Sequence, residues 1–201
     1  MSRALQLAAR GLYSTDPNPR VGCVIVQRGE MVGQGWHQQA GLAHAEINAL
    51  EQAGEKARGA TVYVTLEPCC HQGRTPPCVD ALIKAGVGRV VVAMIDPNPE
   101  VAGKGIECLK EAGIEVESGL RQLQGEALTP GCSNGMQYGR PLVRCKRGRS
   151  LDGRTARASG ESQWITSPQA RQDVQRLRAR STAIMTGIGT VLVDDPRMTV
   201  R

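Results

Sequence analysis

The strongest constraint on how this chain can fold is a set of residues, far apart in sequence, that suit a single zinc ion. His44, Cys69 and Cys78 supply three nitrogen and sulfur ligands, and Glu46 adds a carboxylate that need not bind the metal. A catalytic zinc site keeps three protein ligands and leaves the fourth position to a water, whose pKa falls to roughly 7 on the metal. A structural site wants a fourth protein ligand, for which Cys70 or His71 could be proposed, although the adjacency of Cys70 to Cys69 makes its geometry awkward. By themselves His44 and Glu46 read more simply as a helix N-terminus with a favourable acid in its first turn, which needs no metal. Pro68, Cys69 and Cys78 together move the reading to a catalytic metal.

The order His44-Ala45-Glu46 followed by Pro68-Cys69 carries a specific chemistry. In zinc deaminases of nucleobases the pattern H-x-E…P-C-x-x-C directs an activated water at a ring carbon bearing an amino group, and the Glu moves protons to the ring nitrogen and the departing ammonia. Here eight residues rather than two separate Cys69 from Cys78. The insert brings His71 and Arg74 beside the metal, and an arginine fork suits phosphate.

Hydrophobic periodicity places these residues on elements. Leu5, Ala8, Ala9 and Leu12 fit a first helix, and TDPNP breaks it before a strand over 21–27. A turn at Arg28-Gly29 leads to a strand over 31–36, and a helix runs from about 44 to 56, with His44 and Glu46 in its first turn. Strands are expected at 61–66, 89–94 and 114–117, and helices at 78–85 and 104–112. A helix N-terminus at Cys78 would favour its thiolate. Alternating strands and helices imply an α/β layered fold with a central sheet of about five strands.

The stretch GEALTPGCSNGMQYGRP reads as a linker, so the expected organisation is a metal domain over 1–123, a linker over 124–140 and a further piece over 141–201. In that piece PLVRCKRG suggests a strand, Ser167-Pro168 caps a helix to about 181, and AIMTGIGTVLVDDP suggests another strand and turn.

Composition narrows the partners. The net charge of +6 lies almost wholly after residue 138, which suits an anion-binding surface for a dinucleotide phosphate, a sugar phosphate or nucleic acid. An aromatic content of 2% without a single Phe argues against a platform that stacks single strands. No apolar run is long enough to span a bilayer, and the N-terminus lacks the features of a secretory signal, so the expected compartment is the cytoplasm. In that setting the seven cysteines favour metal ligation or burial over disulfides; Cys23, Cys108, Cys132 and Cys145 read as small buried or partly buried hydrophobes.

PNPRVG at 17–22, AHAEINAL at 43–50, LEPCCHQGRTPPC at 66–78 and DPNPEVAGKG at 96–105 form a specific set. It resembles the deaminase half of bacterial bifunctional riboflavin-biosynthesis deaminase/reductases of the RibD type. SLDGRTA at 150–156 and GESQWITSPQAR at 160–171 resemble the opening of the same family's reductase domain, so the likeness covers nearly the whole chain. It implies a cytidine-deaminase-like fold followed by an incomplete dihydrofolate-reductase-like α/β domain. The implied substrate is a diaminopyrimidinone carrying a ribosylamino 5′-phosphate, deaminated with zinc held by His44, Cys69 and Cys78. Asn18, His37 and Arg74 are implied as substrate residues, although each also suits a bland role as turn cap, strand-end imidazole or surface ion pair.

In the C-terminal piece the resemblance assigns Ser162, Arg178 and Arg201 to substrate, and Gly148, Trp164, Thr190 and Asp194 to NADPH. The bland readings are a solvated helix face for the arginines and plain core for Trp164. The family's first reductase strand is apolar along most of its length, whereas this one carries Arg144, Lys146, Arg147 and Arg149. A buried strand tolerates that poorly, and no reductase activity is expected from these residues. Two other functions fit the motifs less well: a different zinc-dependent nucleobase deaminase, or a non-catalytic zinc-stabilised module binding nucleic acid. The preferred reading needs a small phosphorylated pyrimidine, no nucleic acid and no membrane, and leaves a homo-oligomer open.

Overall fold

The computed structural model describes every residue except Arg74, Thr75, Glu100 and Arg201. It divides into two compact units, Met1–Leu142 and Val143–Arg201.

The first unit is built on a five-stranded sheet in the order β2-β1-β3-β4-β5, with β1 at Gly22–Gln27, β2 at Glu30–Trp36, β3 at Thr61–Val64, β4 at Arg89–Val92 and β5 at Glu115–Ser118. β1 runs antiparallel to β2 and β3, while β3, β4 and β5 are parallel. The β1–β2 hairpin closes through Arg28 and Gly29, with φ of 52° and 84°. Positive φ at both central residues gives the turn whose twist matches that of the flanking strands.

Period-2 alternation sends successive side chains to opposite faces. Cys23 and Ile25, Val62 and Val64, and Val90 and Val92 form one core with α2 (Ala45–Ala53), α3 (Cys78–Ala85) and α4 (Lys104–Glu111). Val24 points the other way, into a smaller cluster with Ala4 and Leu7 of α1 (Ser2–Ala8). The packing of α2 on β2 depends on two strand glycines. A Cβ on Gly33 would lie 2.2 Å from the Ala49 carbonyl oxygen, and one on Gly35 would lie 2.5 Å from that of Ala45. Only bare backbone lets the helix approach so closely.

The stretch expected as a linker is helical instead. It holds α5 (Gln122–Leu128) and α6 (Pro130–Tyr138), both inside the first unit. Gly125 passes over the end of the sheet at a distance where a Cβ would touch Ala93, Met94 and the Thr65 carbonyl, all at 3.4 Å.

In the second unit α7 (Pro168–Ala179) begins as expected, with the Ser167 hydroxyl accepting the Ala170 N–H at 3.2 Å. The strand expected at PLVRCKRG is absent among the described residues, and the expected strand further on is replaced by α8 (Ile188–Asp194). A strand needs a neighbour to take its backbone groups, and none is present here among the described residues. Arg144 and Arg147 stay exposed, as does Cys145, which had been expected to be buried or partly buried. No helix among the described residues is long and apolar enough to cross a membrane.

Candidate active site

Topology brings the candidate residues to one end of the sheet. Cys23 pairs with Val64, and Gly22 with Trp36, so the start of β1 lies beside the ends of β2 and β3. Asn18 precedes β1, His37 follows β2, Cys69 follows β3 and Asp96 follows β4. Ligand sites in open α/β sheets sit outside the carboxyl ends of the parallel strands for the same reason.

His44 is the N-cap of α2, and its Nδ1 lies 3.2 Å from Cys78 Sγ and 3.5 Å from Cys69 Sγ. The ligand atoms of the three residues all lie within 4.8 Å of one another. A tetrahedral zinc with ordinary bond lengths separates nitrogen and sulfur ligands by about 3.6 Å. The donor set therefore fits zinc in both chemistry and spacing. Cys78 opens α3 and donates its backbone N–H to Cys69 Sγ at 3.3 Å, while the Val79 N–H reaches the Cys69 carbonyl at 3.2 Å. Hydrogen bonds from Cys78 and His44 pull the Cys69 thiol down to about 4, which holds it as thiolate, and Cys78 is pushed up in return. Cys70 packs against the core and stands outside the donor group.

Glu46 lies in the first turn of α2 with only 3% of its surface exposed. Burial pushes its carboxyl up to about 7, where a group both accepts and returns protons most readily near neutral pH.

His37 is also buried, and burial lowers its pKa. Its ring is placed by two contacts, Nδ1 to the Ala43 carbonyl at 3.1 Å and Nε2 to Asn18 Nδ2 at 3.0 Å. A carbonyl only accepts, so Nδ1 carries the proton and Nε2 accepts from the Asn18 amide. The His37 ring stands edge-on to His44, 5.4 Å between centroids.

Asn18, His37, His44, Glu46 and Cys69 all line a cavity of about 570 Å³. Arg74 lies outside the described residues. Sequence reasoning missed further lining residues, Asp96 and Asn98 from the loop after β4 and Thr129, Cys132 and Met136 from the α5–α6 region. The loop was visible in DPNPEVAGKG, but α6 was hidden by its linker-like composition. Burial raises the Asp96 carboxyl.

The second unit has a separate cleft of about 270 Å³ lined by Lys146, Trp164, Arg171, Val174, Gln175 and Arg178. Trp164 is exposed, with the Arg171 guanidinium 4.2 Å from its ring centroid, so it is not core. Arg178 Nη1 donates to the carbonyls of Arg197 and Thr199. Gly148, Ser162, Thr190 and Asp194 do not line this cleft, and Arg201 lies outside the described residues.

Residues 1–94 match the family model for the cytidine and deoxycytidylate deaminase zinc-binding region, and residues 141–201 match that for the RibD C-terminal domain. The riboflavin biosynthesis protein RibD of Escherichia coli (strain K12) is 64% identical over 201 residues, which are 100% of this chain and 55% of the relative. That of Haemophilus influenzae is 58% identical over 100% of this chain and 54% of its own length. The chain thus spans about half the length of these curated relatives. Among solved structures, Acinetobacter baumannii RibD (form 1) superposes with a TM-score of 0.96 at 60% identity, covering 100% of this chain and 56% of that one. The Thermotoga maritima diaminohydroxyphosphoribosylaminopyrimidine deaminase/5-amino-6-(5-phosphoribosylamino)uracil reductase gives 0.93 at 42% identity, over 100% and 58%.

Proposed function

Because this chain belongs to the RibD family of riboflavin-biosynthesis proteins, we propose that its first unit is a zinc-dependent hydrolytic deaminase. The substrate is a diaminopyrimidinone carrying a ribosylamino 5′-phosphate, whose ring amino group is exchanged for a carbonyl oxygen with loss of ammonia. The observation that carries the reading is the meeting of His44 Nδ1, Cys69 Sγ and Cys78 Sγ, with His44, Cys69 and the buried Glu46 lining one cavity.

Zinc held by these three residues supplies a Lewis acid that makes water nucleophilic near neutral pH. A Glu46 carboxylate oxygen takes one proton from the water and passes it to the ring nitrogen; after the hydroxyl has added to the ring carbon it takes the hydroxyl's proton and passes it to the amine, which departs as ammonia as the carbonyl forms. Its burial keeps bulk water from competing for those transfers. Asn18, with one N–H committed to His37, has its Oδ1 and second N–H to hold the polar edge of the pyrimidine. Arg74 anchors the phosphate, for which a guanidinium fork is suited. The cavity volume falls in the range of small-molecule sites, roughly 300–1,000 Å³. A cytoplasmic setting belongs to this reading, since Cys69 and Cys78 ligate only while reduced.

The residues that the resemblance gives to NADPH (Gly148, Trp164, Thr190, Asp194) and to the reductase substrate (Ser162, Arg178, Arg201) belong to a reductase step that is not part of this proposal. Among the described residues of that set, only Trp164 and Arg178 line one cleft.

The test is ammonia release from the diaminopyrimidinone ribosyl phosphate by the zinc-loaded chain, beside Glu46→Gln at matched zinc content. Release by the parent that disappears in the variant is expected. Release that survives the substitution, or none from the zinc-loaded parent, overturns the reading.

A further inference from the structure

Glu67 stands between β3 and Cys69, is 3% exposed, and has no part in the chemistry above. Its two carboxylate oxygens accept four backbone N–H groups from a different segment. Oε2 takes those of Asp96 and Gly103, both at 3.0 Å, and Oε1 takes those of Gly105 at 2.9 Å and Ile106 at 3.2 Å. Gly103 is the N-cap of α4 and has no side chain to cap with. Glu67 therefore does from outside what a capping side chain does from within, satisfying two free N–H groups of the first helical turn.

The other oxygen holds the two ends of the loop that leads into α4. That loop forms one wall of the cavity through Asp96, Pro97, Asn98 and Val101. It is shaped by its own turns, since Asp96 Oδ1 accepts the Asn98 N–H at 2.8 Å and the Asn98 carbonyl accepts those of Val101 and Ala102, both at 2.9 Å. The docking is close, for a Cβ on Gly105 would lie 2.1 Å from the Pro68 carbonyl oxygen.

We propose that Glu67 is a positioning residue that sets the spacing between the segment bearing Cys69 and the cavity wall formed by Asp96, Asn98 and Val101, and so governs how well substrate is held. A glutamine in its place has the same shape but turns an NH2 toward two N–H donors, so one half of the clamp opens. The kinetic part of this proposal rests on the deaminase reading.

The experiment compares the zinc-loaded full chain with Glu67→Gln by ammonia release against substrate concentration, zinc per chain, and backbone amide exchange. The expected result is a KM raised about tenfold with kcat reduced by less than about threefold, with zinc retained and faster exchange at Asp96 and Gly103. A KM that stays unchanged, or a loss confined to kcat or to zinc content, overturns the proposal. Should the variant not fold, exchange in the parent decides. Asp96 and Gly103 lie outside the helices and strands, so slow exchange there supports the clamp, and exchange as fast as in an open loop overturns it. A parent that releases no ammonia defeats the functional reading alone, and amide exchange then decides for Glu67 in the same two directions.

Discussion

Up to Leu142 the strands all have neighbours, and the central ones are covered on both faces; after it, no described residue is buried. The second unit is not poor in apolar residues. Leu151, Met185, Leu192 and Val193 are all exposed, the last at 84%. What it lacks, among the described residues, is a sheet to fold them against. The metal ligands show the reverse case, because His44 and Cys78 stand at the starts of helices packed into a finished core and Cys69 is held to Cys78 by a hydrogen bond. A local signal such as the Ser167 cap holds in the second unit too, but only in the first do local signals add up to a site.

That contrast would break most visibly at the chemistry. Replacing Glu46 with Gln is expected to lower ammonia release by about 10²- to 10⁴-fold with zinc content unchanged, as read by steady-state kinetics and metal analysis. Next in size is a pair of core and surface truncations followed by chemical denaturation. Leu82→Ala should cost about 2–5 kcal/mol, whereas Leu192→Ala should stay within about 0.5 kcal/mol. Equal effects would mean that the second unit has a core of its own. Zinc removal comes third, with a loss of about 2.7 kcal/mol when free zinc had stood at a hundred times its dissociation constant. Amide exchange should register that loss in α2 and α3 and leave α7 unchanged. The smallest expected effect is that of Ser167→Ala, about 1 kcal/mol, seen as faster exchange in the first turn of α7 with no change in ammonia release.

The sequence was most legible where one local rule settles the matter. Arg28-Gly29 marked the hairpin, His44 and Cys78 marked helix starts, and alternating apolar residues marked the sheet. The α5–α6 region was misjudged because its Gly, Ser and Pro residues were weighed as composition rather than by position. Pro130 stands at the start of α6 and Gly139 just beyond its end with φ of 63°, which are the places those residues favour in a helix. Glu67 lies within LEPCCHQGRTPPC, yet its four amide partners become neighbours only when β3 and β4 pair. In the second unit PLVRCKRG carried strand-like apolar residues, but pairing is a property of two segments and cannot be read from one.

The Cys78 amide that reaches Cys69 Sγ closes the intervening eight-residue stretch at its base. Metal geometry then depends little on the length of what lies between, since doubling the length of a closed chain segment adds only about 0.6 kcal/mol of closure entropy. The segment is in effect an interchangeable cassette. His71 and Gly73 from it line the cavity, so exchanging it is expected to change the shape of the pocket while the three ligands keep their places.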